Sequence, residues 1–192
     1  LLEKVVELNF LSWRKKTVCA YNTVINEFQK FLGSIKPIHA TGQHVQDFLV
    51  DQYRSGKSNN TIVKYRNTLF TLYAKAMDHA LCEFNPVQKV PGIKRAPQSL
   101  HYFTDPQIKA IREASGPQLL LCIKLLYYCF IRPGEIRGLK IEDINFEYGF
   151  IEINGQISKN KKVRKVQIPR QFLHEISYLT RYSNSCYVVS KD

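Results

Sequence analysis

Apolar residues at helical spacing dominate the first ninety positions. In residues 15–32, Val18, Tyr21, Ile25, Phe28 and Leu32 recur on one face, with Val24 and Phe31 beside it. Gly33 then supplies a stop. Thr41 is placed to cap a second helix carrying Val45, Phe48, Leu49 and Tyr53, ending near Gly56. Ser58 is placed to cap a third, with Ile62, Tyr65, Leu69, Leu72, Tyr73 and Ala76 in phase. Asn85-Pro86 predicts a short fourth, because proline suits a first helical turn. Four short helices predict a compact bundle over residues 1–90.

The period then breaks. "VPGIKRAPQSLHYF" (90–103) holds two prolines, a glycine and a Lys-Arg pair, and residues 91–103 read as a basic linker. Thr104 is expected to cap a helix through Ala114. Gly116-Pro117 opens 119–130, apolar nearly all round and therefore expected to be buried. Beyond Arg132, "GFIEING" (149–155) and "VRKVQIP" (163–169) alternate like strands around the basic turn "QISKNKK", which predicts a β-hairpin. Residues 171–182 form an amphipathic helical pattern, and "CYVVS" (186–190) suggests a short last strand. The expected fold is mainly α with a small β-hairpin or sheet, in two units, 1–90 and 104–192.

Charge sharpens this picture. The 192 residues carry a formal net charge of +12. Residues 1–100 hold 14 Lys and Arg against 7 Asp and Glu, and the rest hold 14 against 9, so no single tail carries the excess. That distribution points to a polyanion touching both halves, nucleic acid above all. The five cysteines are odd in number and include no C-x-x-C, as expected of a reduced, intracellular protein without a zinc site. No signal pattern is visible, and the longest apolar run, 119–131, contains Lys124 and is too short to span a bilayer. With no P-loop and no metal-ligand spacing, no cofactor is expected.

Arg132 closes the apolar run, and Pro133-Gly134-Glu135 fixes the backbone beside it. Glu135 is close enough to orient the guanidinium, which then suits an anion through its planar fork. The alternative is an Arg–Glu pair that only closes a helix end. Residues 157–170 hold Lys159, Lys161, Lys162, Arg164, Lys165 and Arg170 with no acid. They read either as a solvated basic face or as contacts to a nucleic-acid backbone, with one lysine at the tip positioned to deliver a proton. In the first unit Asn59, Asn60, Lys64 and Arg66, and in the linker Lys94 and Arg95, are candidate contacts or ordinary solvated surface.

Taken together, these residues resemble the tyrosine recombinase (phage integrase) family. The family's R-x-x-E turn is matched by Arg132 and Glu135, its next element by Leu139 and Asp143-Ile144-Asn145, and its hairpin by "KNKKVRKV" (159–166). Where the family usually has a small residue two before the arginine, this chain has Phe130. The resemblance covers nearly the whole chain. It implies a SAM-like four-helix core-binding domain at 1–90, then the α+β start of a catalytic domain at 104–192. Arg132 would be the first catalytic arginine, Lys159 the hairpin general acid, and Glu135 the orienting carboxylate. Lys161, Lys162 and Arg164 would hold DNA phosphates. The implied reaction is metal-free cutting and rejoining of duplex DNA through a 3′-phosphotyrosine, by a tetramer on two sites, in the cytoplasm at the nucleoid.

The family also carries H-x-x-R and a later tyrosine nucleophile. None of the five histidines here is followed by arginine three residues on. The expectation is therefore a fragment of a longer recombinase, inactive on its own. A non-catalytic two-domain DNA-binding protein or regulator is the alternative. An RNA-binding protein is the weaker third reading, since no RNP-type strand or G-x-x-G clamp is present.

Overall fold

Thr41 and Ser58 start two of the long helices of the first half in the way their side chains dictate. In this computed structural model, which describes residues 1–94, 101–158, 161–181 and 186–189 (backbone alone from 178 to 181), Thr41 Oγ1 accepts from the His44 amide at 3.3 Å. The His44 ring accepts in return from the Thr41 amide at 3.1 Å. Ser58 Oγ accepts from the Thr61 amide at 3.3 Å. These caps satisfy amides that the first helical turn leaves unpaired. The helices are α1 (Leu2–Leu8), α2 (Lys15–Leu32), α3 (Gly42–Arg54) and α4 (Asn59–Asp78). Gly33 ends α2 at φ 59°, a conformation that costs glycine little.

Their apolar faces meet in one core. Ile25, Phe28, Val45, Phe48, Leu69 and Leu72 are fully buried, each side chain contributing roughly 1.5–3 kcal/mol by burial. The Phe48 ring packs edge-on against Phe28 at 5.1 Å and stacks on Tyr65 at 5.9 Å. Tyr73 is buried with its hydroxyl donating to the Pro37 carbonyl at 2.7 Å, and burial raises its pKa.

The helix expected at Asn85-Pro86 does not form. Asn85 Oδ1 takes the Val87 amide at 3.0 Å, and this side-chain bond makes a local turn that Pro91 and Gly92 do not extend. Val87 and Val90 still reach the core. The fourth helix of the bundle is instead α1, whose Leu2, Val5 and Val6 are buried. Its i, i+3, i+4 pattern is present in the sequence, but no side-chain cap announces it.

The chain divides into two compact units, Leu1–Leu100 and His101–Asp192. The second unit has its own core, built from Leu125, Ile131, Ile136, Leu139, Ile151, Ile153, Phe172 and Ile176. Its helices are α5 (Asp105–Ala114), α6 (Pro117–Cys129), the single turn α7 (Pro133–Ile136) and α8 (Arg170–Arg181). Three antiparallel strands, β1 (Ile144–Asn145), β2 (Phe150–Ile153) and β3 (Arg164–Gln167), lie in the order β1-β2-β3. The fold is thus mainly helical with one small sheet. Residues 186–189 make no strand; they meet the chain at an isolated bridge, Lys140 to Tyr187, and Val188 is buried in the second core. No described helix is long and apolar enough to cross a membrane.

The expectation that 119–130 is buried on all sides is also corrected. Only Leu121, Leu125 and Cys129 of α6 are buried, and burial pushes the Cys129 thiol up to about 11. Leu119 and Tyr127 are 57% and 68% exposed. Lys124, inside the apolar run, pairs with Glu175 of α8. An all-apolar helix in a small unit has only one face to bury.

Phe130 follows α6 as its cap, in the left-handed conformation (φ 50°, ψ 32°) with 84% of its surface exposed. That conformation crowds any Cβ, at a cost of about 1–2 kcal/mol. Phe130→Gly and Phe130→Ala both remove the ring, but only Gly relieves the strain. Gly has more unfolded-state freedom to lose, which offsets part of the gain. Urea denaturation should find the Gly variant more stable than the Ala variant by roughly 0.5–1 kcal/mol; equal midpoints would contradict the strain.

Candidate active site

Glu135 lies in the short turn of α7, three residues after Arg132, and is 1% exposed. Pro133 at the first helical position and the extended backbone of Arg132 (φ −68°, ψ 146°) make this turn. The Glu135 carboxylate reaches back to the start of the turn, where Oε2 accepts from the Arg132 amide at 3.0 Å. Oε1 accepts from Nη1 of the Arg132 guanidinium at 3.1 Å. The Arg132 side chain remains 51% exposed, and its Nε and Nη2 make no hydrogen bond among the described residues. It is a held guanidinium with an open face.

A second arginine completes the arrangement. Arg164 donates from Nη1 to Oε1 at 2.9 Å and from Nη2 to Oε2 at 2.6 Å. Strand parity explains how it gets there. Ile153 pairs with Arg164 and Ile151 with Val166. The buried Ile151 and Ile153 therefore share the inner face of the sheet with Val166 and Arg164. On the outer face Lys165 lies 4.4 Å over the Phe150 ring, near Glu152. Arg164 was expected on DNA phosphates. Its fork is instead taken up by Glu135 and its side chain is only 33% exposed. A guanidinium on an apolar sheet face needs a carboxylate more than a solvated phosphate.

The hairpin meets the α7 turn at a second point. A Cβ on Gly138 would stand 2.5 Å from Cγ2 of Ile157, a contact only glycine permits. Ile157 is held by Asn154, whose Oδ1 accepts from the amides of Gln156 and Ile157 at 3.0 and 3.2 Å. Lys161, at φ 55°, and Lys162 follow this turn and are exposed.

The other predicted residues separate into groups. Lys159 and Arg95 lie outside the described residues. Lys64 and Lys94 are exposed and unpaired among the described residues, and Asn59 is half-buried. Arg66 is turned inward, donating from Nε and Nη2 to the Val90 carbonyl at 3.2 and 2.6 Å. It ties α4 to the turn after residue 85, because that carbonyl has no helix to pair it. Asn60 has its Oδ1 buried without a partner.

The sequence comparisons give the family to which this charge-held arginine and basic hairpin belong. The chain belongs to the phage integrase, or tyrosine recombinase, family. It matches the Phage integrase family over residues 101–191 and the Phage integrase N-terminal SAM-like domain over residues 10–80.

Among curated relatives it is 25% identical over 158 residues to tyrosine recombinase XerC of Thermodesulfovibrio yellowstonii, covering 79% of this chain and 51% of that protein. It is 31% identical over 180 residues to tyrosine recombinase XerA of Pyrococcus horikoshii, covering 91% and 58%. The chain thus spans about half the length of these relatives. In fold it is similar to a lambda integrase tetramer bound to a Holliday junction, with a TM-score of 0.79 at 16% identity, covering 99% of this chain and 58% of that one. It is also similar to the Tn1549 transposon integrase in complex with a circular intermediate DNA, with a TM-score of 0.73 at 14% identity, covering 95% and 65%.

The hydrogen bonds from Arg164 are the largest influence on Glu135, and those from Arg132 add to them. They outweigh the opposing effect of burial and lower its pKa from the ordinary 4.5 to about 2. Between those values the unfolded chain binds the proton and the folded chain does not. The stabilisation is therefore fully present above pH 4.5 and is lost as pH falls toward 2, with about 3 kcal/mol at stake. Stability measured from pH 6 down to 2 should fall more steeply for the wild type than for Glu135→Gln, which is weaker throughout. Parallel curves would contradict the burial of an ionised carboxylate.

Proposed function

We propose that this chain supplies the DNA-binding bundle and the first part of the active site of a site-specific DNA recombinase. A single observation carries the proposal: Arg132 is gripped by a buried carboxylate yet offers an open guanidinium face. The scissile phosphate of duplex DNA fits that face. In the reaction a tyrosine oxygen forms a bond to phosphorus as the bond from phosphorus to the 5′-oxygen breaks. Negative charge on the nonbridging oxygens is met by Arg132, a donor already in position. The leaving 5′-oxygen takes a proton from Lys159. Glu135 keeps Arg132 oriented and takes no part in proton transfer.

The H-x-x-R pair does not occur in these 192 residues, so the second arginine and the nucleophile are not assigned within them. Asn59, Lys64, Lys94, Lys161 and Lys162 are proposed to hold the DNA backbone. We assign the two units to a core-binding domain and the start of a catalytic domain, joined near residues 91–103. The assembly is proposed to be a tetramer on two DNA sites, acting at the nucleoid; lambda integrase is a tetramer when bound to a Holliday junction.

The first test is binding. Affinity for a duplex should fall about five decades per decade of salt if about six phosphates are contacted. A slope near zero would remove the nucleic-acid reading.

The second test concerns the arginine and lysine. In a cleavage-competent preparation, Arg132→Ala should cut DNA about two to three decades more slowly while binding it nearly as well. Lys159→Ala should be rescued by a 5′-thiol leaving group, which needs no proton, and Arg132→Ala should not. Wild-type cleavage by Arg132→Ala would leave the arginine as a helix cap.

A further inference from the structure

We infer that Arg164 is a positioning residue: through its two-point bond to Glu135 it sets the orientation of Arg132 and fixes the basic hairpin to the arginine turn. The reading of Arg132 as a phosphate ligand comes from the proposed function; the positioning itself rests on geometry alone. Glu135 receives four hydrogen bonds, two on each oxygen, and Arg164 donates one to each. With Oε1 and Oε2 both occupied by Arg164, the carboxylate cannot rotate without breaking that fork. Its remaining lone pairs are thereby aimed at the Arg132 amide and at Arg132 Nη1.

Burial makes the arrangement cooperative. A carboxylate that is 1% exposed has no water to replace a lost guanidinium. Remove Arg164, and the carboxylate is driven toward its neutral form. A neutral carboxyl grips Arg132 more weakly and is free to turn. Arg132 is half exposed, and among the described residues its one side-chain bond is to Glu135, which therefore holds it.

The same bond acts on the hairpin. Arg164 sits in β3, directly after the loop that carries Lys161 and Lys162. The loop's other side is set by Ile157 against Gly138, two residues beyond α7. The arginine turn and the lysine loop are thus joined at both ends of the loop. Two elements that must meet one phosphate are held in register by a residue that need not touch it.

The test reads Glu135 and Arg132 without DNA, so it is independent of whether the recombinase reading holds. In the wild type, carbon-13 titration should place the Glu135 carboxyl near 2, and the Arg132 Nε–H should be observable by nitrogen-15 NMR. In Arg164→Met the Glu135 midpoint should rise by more than one unit toward 4.5, and the Arg132 signal should broaden or exchange faster. Arg164→Lys keeps the charge and loses the fork. It should move Glu135 less than Met does, yet release Arg132 to a similar degree. It also covers the case in which the Met variant does not fold.

An unmoved Glu135 midpoint in the Met variant would overturn the inference. So would an Arg132 signal in Arg164→Lys identical to the wild type. In a cleavage-competent preparation, Arg164→Met should cost less in the Arg132→Ala background than in the wild type, since only its hold on the hairpin is then left to lose. Equal losses in both backgrounds would mean that Arg164 acts apart from Arg132.

Discussion

The second unit depends on one buried carboxylate. Glu135 is almost wholly out of water, and an ionised carboxylate there would be untenable alone. Two guanidinium groups and one backbone amide make it tenable. Deleting any one partner leaves the others facing an unbalanced charge, and breaking a buried pair in this way costs about 3–5 kcal/mol. The pair is weak evidence for overall stability, since an apolar substitute could pack as well. Its value lies in specificity of arrangement: β3 and the α7 turn can meet in only one register if both oxygens are to be satisfied.

That constraint explains features that look unrelated. Gly138 must lack a Cβ because the register brings Ile157 within contact distance of it. The outer face of the sheet must find its own satisfaction, and Lys165 does so against Phe150 and Glu152. Lys161 and Lys162 are left with solvent-facing side chains, since the core-facing position is already taken by Arg164. The charge excess thus divides by geometry. Arg164 and Arg66 are taken up by a carboxylate and a carbonyl, while Lys161 and Lys162 remain available to an anion.

The bundle was largely legible because its caps are chemical. Thr41, Ser58 and Gly33 each mark a helix end through a definite side-chain or backbone property. α1 was not, because its apolar triplet begins without a cap and is held by tertiary burial alone. Asn85-Pro86 misled for the converse reason: an Asn side chain that can start a helix can also close a turn on itself. The exposure of α6 was illegible, since an apolar helix looks the same whether one face or all of it is covered.

At the site, the Arg132–Glu135 contact was readable from a spacing of three, which places both on one short turn. The role of Arg164 needed one more step than spacing. In "VRKVQIP" the alternation that predicts the strand also puts Arg164 in phase with Val166 and Ile168. An arginine on an apolar face demands an acid, and residues 157–170 contain none. The acid therefore had to come from elsewhere in the unit, and Glu135 was the carboxylate already assigned to an arginine. Parity and charge balance together call for an acid from another element; that it is Glu135, 29 residues away, is read from the structure. The same parity separates the basic residues of the hairpin into one that is used inward and others that face out. In a basic segment, the phase of each cation against its apolar neighbours says more about its partner than the number of cations does.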